Sequence, residues 1–244
     1  MVRFAFPKCS RATPLAAHVA AARPLVRGLR ERNRTGTASA TKERRMRKVI
    51  VLTFVTLDGV MQAPGGPEED ASGGFQHGGW SVPYWDDFLG SVMTNQMGNP
   101  FDLLLGRKTY DIFSAYWPKH PEEGAELNRA TKYVASRSAR KLEWEKSVLL
   151  QGDVVQDIKK LKAQEGPQLQ VHGSADFLQT LLRSDLVDEL WLKIYPITLG
   201  TGKRLFGEGS IPAAFTLKEA KPSPSGVLVA SYVRAGDVKA GSFA

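Results

Sequence analysis

Cysteine is almost missing from this chain of 244 residues: Cys9 is the only one. No disulfide can form within the chain, and no cysteine-built zinc site is available. Histidine is scarce too, and His18, His77, His120 and His172 show neither the HExxH spacing nor any close pair. That argues against a histidine metal site, and no metal is expected. No apolar run approaches the ~18–20 residues that a bilayer-crossing helix needs, so no membrane span is expected. The two commonest nucleotide fingerprints, GxGxxG and GxxxxGK[ST], do not occur.

What remains is ordinary for a soluble globular protein, with 42% hydrophobic and 24% charged residues. This excludes a mainly disordered or collagen-like chain and is enough to bury the core of one large domain or two small ones. The net charge of +8 is unevenly placed. Residues 1–45 hold 11 of the 33 basic residues and two of the 25 acids, so they carry +9 and the remainder carries −1. The folded part therefore lacks the basic face that nucleic-acid binding needs.

Residues 1–45 are rich in Arg, Ala, Thr and Pro, lack an apolar block and are expected to be a disordered basic leader. A targeting peptide, a basic arm for an anionic surface, and upstream sequence read from an early start are the three readings. Met46-Arg47-Lys48 directly before a strand favours the third. A secretory signal lacks its apolar h-region. The folded domain is expected over 46–236, with a tail at 237–244, and a cytoplasmic location is expected.

Strands are predicted at 48–56, 101–105, 132–136, 147–150, 169–172, 186–196, 214–220 and 227–233 from apolar, β-branched runs. Helices are predicted at 84–97, opened by Pro83, and at 107–115, 154–163 and from Gly173 to about 183. Residues 62–80 are dense in Gly, Pro and polar side chains and read as a long loop, a length often found in functional lids. Strands alternating with helices imply an α/β fold of three layers, a mainly parallel sheet flanked by helices. The last strands have no helix between them and are expected to pair antiparallel at one edge.

The informative pattern is strand, glycine, polar residues, helix. It occurs at Leu105-Gly106-Arg107-Lys108-Thr109 and again at His172-Gly173-Ser174-Ala175. In a parallel sheet such a turn delivers a helix N-terminus, whose free N–H groups and dipole favour an anion. Arg107 and Lys108 add positive charge. A ligand with separated phosphate groups, such as a dinucleotide, would suit the pair. Glycine at a strand–helix turn is also common for backbone reasons alone. Ser136-Arg137-Ser138, at a third strand end, offers hydroxyls and a guanidinium.

Several segments follow in order: Thr56-Leu57-Asp58-Gly59, Leu104-Leu105-Gly106-Arg107-Lys108-Thr109-Tyr110, Tyr133-Val134-Ala135-Ser136-Arg137, His172-Gly173-Ser174 and Leu186-Val187-Asp188-Glu189-Leu190. After them comes Pro196-Ile197-Thr198-Leu199-Gly200-Thr201-Gly202-Lys203-Arg204-Leu205-Phe206. Over roughly 47–235 the set resembles the dihydrofolate reductase-like superfamily. The closer likeness is to the C-terminal reductase domain of the bifunctional riboflavin-biosynthesis deaminase-reductase. The resemblance implies an NADPH site, a pyrimidine or pterin substrate and often a homodimer. It places Gly106, Arg107, Lys108 and Thr109 at the coenzyme's phosphate turn, Ser136 and Arg137 at the adenosine-side phosphate, and Gly173 and Ser174 beside the pyrophosphate. The HxE and PCxxC signature of the zinc deaminase half is absent. The arginine with which folate enzymes hold the substrate carboxylate is also not in place, since Thr131 stands there and Arg129 lies two residues away.

Two acids are candidate catalytic residues. Asp58, at the end of the first strand, would bond substrate or relay a proton, or else simply form the turn before Gly59. Asp86, expected at the edge of the apolar face of helix 84–97, suits a cleft better than Asp87, although first-turn acids also complement a helix dipole. Trp80 and Trp85 are read as stacking platforms or core, and His172 as a ligand contact or an inward strand-end residue. The expectation is an NADPH-dependent reductase of the riboflavin type, with pterin reduction or a nucleotide-binding module without turnover as alternatives.

Overall fold

A computed structural model describes residues 46–243, so the expectations placed on 1–45 lie outside the described residues. Eight strands form one sheet: β1 Val49–Thr56, β2 Phe101–Gly106, β3 Lys132–Ala135, β4 Ser147–Leu150, β5 Gln168–Val171, β6 Glu189–Tyr195, β7 Phe215–Pro222 and β8 Leu228–Arg234. Their order is β4-β3-β2-β5-β1-β6-β8-β7. The first six pair parallel, while β8 runs antiparallel between β6 and β7. The mixed, mainly parallel sheet and its antiparallel edge agree with the sequence reading.

The central strands are buried on both sides, which explains their continuous apolar runs. Five helices cover them: α1 Asp87–Met97, α2 Arg107–Tyr116, α3 Ala125–Arg129, α4 Val154–Ala163 and α5 Ala175–Arg183. On one face Ile158 of α4 and Leu178 and Leu181 of α5 pack on Val49, Val51, Leu104, Leu169 and Val171. On the other, Tyr110 of α2 and Leu127 of α3 pack on Leu103, Leu105 and Val134. Leu89 of α1 joins Val60, Trp80, Tyr195 and Val227 further along that second face. Each such fully buried leucine contributes about 1.5–3 kcal/mol. Two helices, α1 and α2, therefore share one face. No helix among the described residues is long and apolar enough to cross a membrane.

The predicted helix 84–97 starts later than expected. Pro83 lies in a 3-10 turn at Val82–Tyr84, Trp85 stays extended, and Asp86 is the N-cap of α1. Its carboxylate accepts the Leu89 N–H at 2.8 Å, which fixes the start of the helix. The strand predicted at 186–196 is shorter, because Leu186 and Val187 sink into the core in the turn before β6. Helix α3 is additional, and its five residues are too few to show an apolar period.

Candidate active site

Three strand ends lie side by side at the carboxyl edge of the sheet, because β3, β2 and β5 are neighbours. Gly106 is in register with Ala135, so Ser136 and Arg137 leave the sheet next to the first glycine turn. On the other side the Gly106 N–H donates to the Gly173 carbonyl at 3.0 Å. The turns interlock tightly. A Cβ on Gly106 would run into Ser174 Oγ and lie 2.8 Å from Phe177 Cβ, and one on Gly173 would lie 2.6 Å from Thr109 Oγ1. Helices α2 and α5 thus begin beside one another. Neither has a side-chain cap at its N-terminus, so their first-turn N–H groups remain available to an anion.

Cations gather around these turns. Arg107 and Arg140 share Asp111, at 3.0 and 2.8 Å, along the outer side of α2. Ser136 Oγ donates to the Ser138 carbonyl at 3.0 Å, and the exposed Arg137 lies between them in sequence. Lys108 reaches over to Ser72 at 3.2 Å, which brings the loop 62–80 to the same edge.

Polar side chains of β5 and β6 meet the end of α1. Gln170 of β5 donates from Nε2 to the Gln96 carbonyl in the last turns of α1, at 2.9 Å. Its Oε1 faces His172 Nε2 at 3.3 Å. A carbonyl only accepts, so the Gln170 amide orientation is settled and His172 must carry its proton on Nε2. Among the described residues no donor reaches Nδ1, which is left as an acceptor. Burial, with some help from Lys193, pushes the imidazole down to about 3, so the ring is neutral. Lys193 of β6 is fully buried and donates to Gln96 Oε1, and burial pushes its ammonium down to about 7. Phe113 of α2 packs on His172 at 5.9 Å, and Phe54 faces Trp85 at 6.3 Å. All four rings are partly buried.

Residues 47–229 match the family described as RibD C-terminal domain. The chain belongs to that family. A relative is the uncharacterized protein YyaP of Bacillus subtilis, 28% identical over 176 residues, covering 68% of this chain and 84% of that protein. Among solved structures, a protein assigned to riboflavin biosynthesis from Shewanella sp. PV-4 superposes with a TM-score of 0.57 at 22% identity, over 77% of this chain and 99% of its own. Dihydrofolate reductase from Enterococcus faecalis, solved with NADP(H) and RAB-propyl, superposes with a TM-score of 0.51 at 13% identity, over 77% and 96%. The fold is therefore that of the dihydrofolate reductase-like proteins.

In this RibD-type domain the two candidate acids bind backbone. Asp58 accepts from Thr56 Oγ1 and from the N–H groups of Leu199 and Gly200, the last at 2.8 Å. The Thr56 hydroxyl and these amides hold its carboxyl below the ordinary range. Asp86 does not sit on a helical face over the cleft, as the sequence phase implied. It caps α1 and also accepts the Ser225 N–H at 3.1 Å. Burial alone would raise its pKa, but these bonds outweigh it and hold the carboxyl low. Both carboxyls are held low, and both accept bonds from loop backbone. Trp80 is core: its indole N–H donates to the Gln62 carbonyl at 2.7 Å. Arg140, Gln96 and Lys193 stand in no motif, and folding alone brings Arg140 to Asp111 and Lys193 to Gln96.

Proposed function

We propose that this RibD-type domain is an NADPH-dependent reductase of the riboflavin-biosynthesis kind, acting on the sugar of a phosphoribosylamino-pyrimidine. The observation that carries the reading is the hydrogen bond from Gly106 to Gly173, which sets two uncapped helix N-termini side by side. Donors of this type and number suit a dinucleotide phosphate. In this reading Gly106, Arg107, Lys108 and Thr109 receive the coenzyme phosphates, Gly173 and Ser174 flank the pyrophosphate, and Ser136 and Arg137 meet the adenosine-side phosphate. Arg140, which shares Asp111 with Arg107, adds to that end.

NADPH, when bound, supplies the hydride. The chain's own residues do the placing. Phe54, Trp85 and Phe113 take the heterocycle, and His172 Nδ1 accepts a hydrogen bond from it. Asp58 anchors the loop from Leu199. Arg129 supports a pyrimidine over a folate: it is 69% exposed and paired with Glu126 on the outside of α3, where it holds no substrate carboxylate. A homodimer is part of the proposal. Strand β7 leaves one edge of the sheet open, with Leu217 half-exposed.

The test follows the nicotinamide absorbance while the protein is incubated with NADPH and either the phosphoribosylamino-pyrimidine or dihydrofolate. Oxidation with the pyrimidine is the expected result. Oxidation with dihydrofolate alone would replace the proposal with pterin reduction. Tight NADPH binding with no oxidation by either would leave a binding module without turnover.

A further inference from the structure

The loop 62–80 meets the loop after β6 at one small cluster of charge. Asp70 Oδ2 accepts from Lys203 Nζ at 2.6 Å, and Oδ1 lies 3.7 Å from Lys108 Nζ. Ser72 Oγ receives Lys203 at 2.8 Å and Lys108 at 3.2 Å. Two ammonium groups from distant elements are therefore gathered around one carboxylate. The loops that carry them are held from below. Buried Gln62 donates to the carbonyls of Asp70 and Ser72, both at 2.9 Å, and accepts the Lys203 N–H at 2.9 Å. Beside the cluster opens a cleft of about 340 Å³ that includes Ser72, Gly73, Gly74, Thr201, Gly202 and Lys203.

The position matters as much as the charge. Lys108 is in the first turn of α2, two residues after Gly106, and Asp176 in the first turn of α5 acts on both lysines. The cluster thus stands over the paired helix N-termini. We propose that Lys108 and Lys203 form a seat for a phosphate group of the ligand, and that the Asp70 side chain fills this seat until the phosphate displaces it. In direct contact, Asp70 brings a single negative charge to two adjacent ammonium groups, with Asp176 acting on both from further off. A phosphate group brings up to two, with three oxygens to share between them. The neighbouring Lys203 holds Lys108 below the usual lysine range, whereas Lys203 itself, against the burial that would lower it, is held above that range by Asp70. Gln62 holds the backbone, so the exchange turns the Asp70 side chain out of the seat, at the cost of the bonds that its Oδ1 accepts from the Ser72 N–H at 3.1 Å and the Ser72 hydroxyl at 2.5 Å. The seat rests on the coenzyme cleft proposed above for its place. Its chemistry, a phosphate group, is shared by coenzyme and substrate.

Calorimetric titration of the full chain with NADPH, inorganic pyrophosphate and ribose 5-phosphate tests the exchange in wild type, Asp70→Asn, Lys203→Met and Lys108→Met. Removing an internal competitor and removing a ligand have opposite signs. Asp70→Asn is expected to tighten at least one probe several-fold, and each lysine variant to weaken the same probe about tenfold. Response of NADPH and pyrophosphate assigns the seat to the coenzyme, and response of ribose 5-phosphate alone assigns it to the substrate. If NADPH fails to bind while ribose 5-phosphate shows both signs, the coenzyme reading falls and the seat stands. Asp70→Asn weakening or leaving unchanged every probe, with a wild-type melting midpoint, would overturn the seat, as would unchanged affinities in both lysine variants.

Discussion

Gly106 and Gly173 are 67 positions apart in the chain, yet the N–H of the first donates to the carbonyl of the second at 3.0 Å. No side chain fits between them. In Gly106→Ala the new methyl would collide with Ser174 Oγ and lie 2.9 Å from the Ser174 backbone nitrogen. In Gly173→Ala it would lie 2.6 Å from Thr109 Oγ1, at a φ of +151° that other residues rarely adopt. Each variant is expected to lose about 1–3 kcal/mol in urea unfolding and to lose NADPH affinity with it. A Gly106→Ala protein that keeps wild-type stability and coenzyme affinity would show that the two turns can separate without consequence.

Arg107 separates coenzyme binding from stability. Its guanidinium is half-exposed and pairs with Asp111 one turn on, an i,i+4 contact that contributes only ~0.3–0.5 kcal/mol. If it also meets a phosphate, Arg107→Ala should lower NADPH affinity by about 1.5–3 kcal/mol while the melting midpoint barely moves. Fluorescence titration of NADPH in both proteins checks this. Equal affinity would remove Arg107 from the coenzyme site.

The central strands were readable because β1 and β2 are buried on both faces and therefore continuously apolar. Helix α4 was readable end to end, since Asp153 caps it with bonds to Val155 and Gln156 and its buried residues Ile158 and Leu161 keep helical spacing. The glycine turns were visible as a local pattern, and their contact followed from β2 and β5 being neighbours. What local pattern could not reach was the pairing of distant polar residues. Lys203 finds Asp70 across 133 positions, and Lys193 finds Gln96 across 97. Helical phase misplaced Asp86 for a related reason: its oxygens are claimed by Ser225 as well as Leu89, so it ends the loop instead of joining the helix.

His172 is expected to stay neutral through the physiological range. Its folded pKa of about 3 lies below the ordinary 6.5, so the unfolded chain binds the extra proton between these values. Stability from this group therefore rises as pH climbs from about 3 to 6.5 and is lost on acidification. Nitrogen-15 NMR of the imidazole should show protonated Nε2 and bare Nδ1 from about pH 5 to 8, with no titration. An imidazolium signal with a midpoint near 6.5 would dismiss both the burial and the acceptor role proposed for Nδ1.

Lys193 gives the opposite end of the pH scale. Buried in the sheet, it has a folded pKa of about 7 against an ordinary 10.5. Below about pH 7 the lysine is charged in folded and unfolded chains alike, and it adds no slope. Between about 7 and 10.5 only the unfolded chain keeps the proton, so stability rises with pH by up to ~1.4 kcal/mol per unit for this one group. Lys193→Met removes that dependence, so the wild type minus variant difference should climb with pH across the window. The same variant takes the donor from Gln96 Oε1, which frees the last turn of α1. Substrate KM should rise in it while NADPH affinity holds, because the coenzyme turns lie at α2 and α5. Parallel pH profiles for the two proteins in urea unfolding would mean that Lys193 keeps its charge on folding, and that the polar floor beneath α1 is held by an ion and not by a neutral amine.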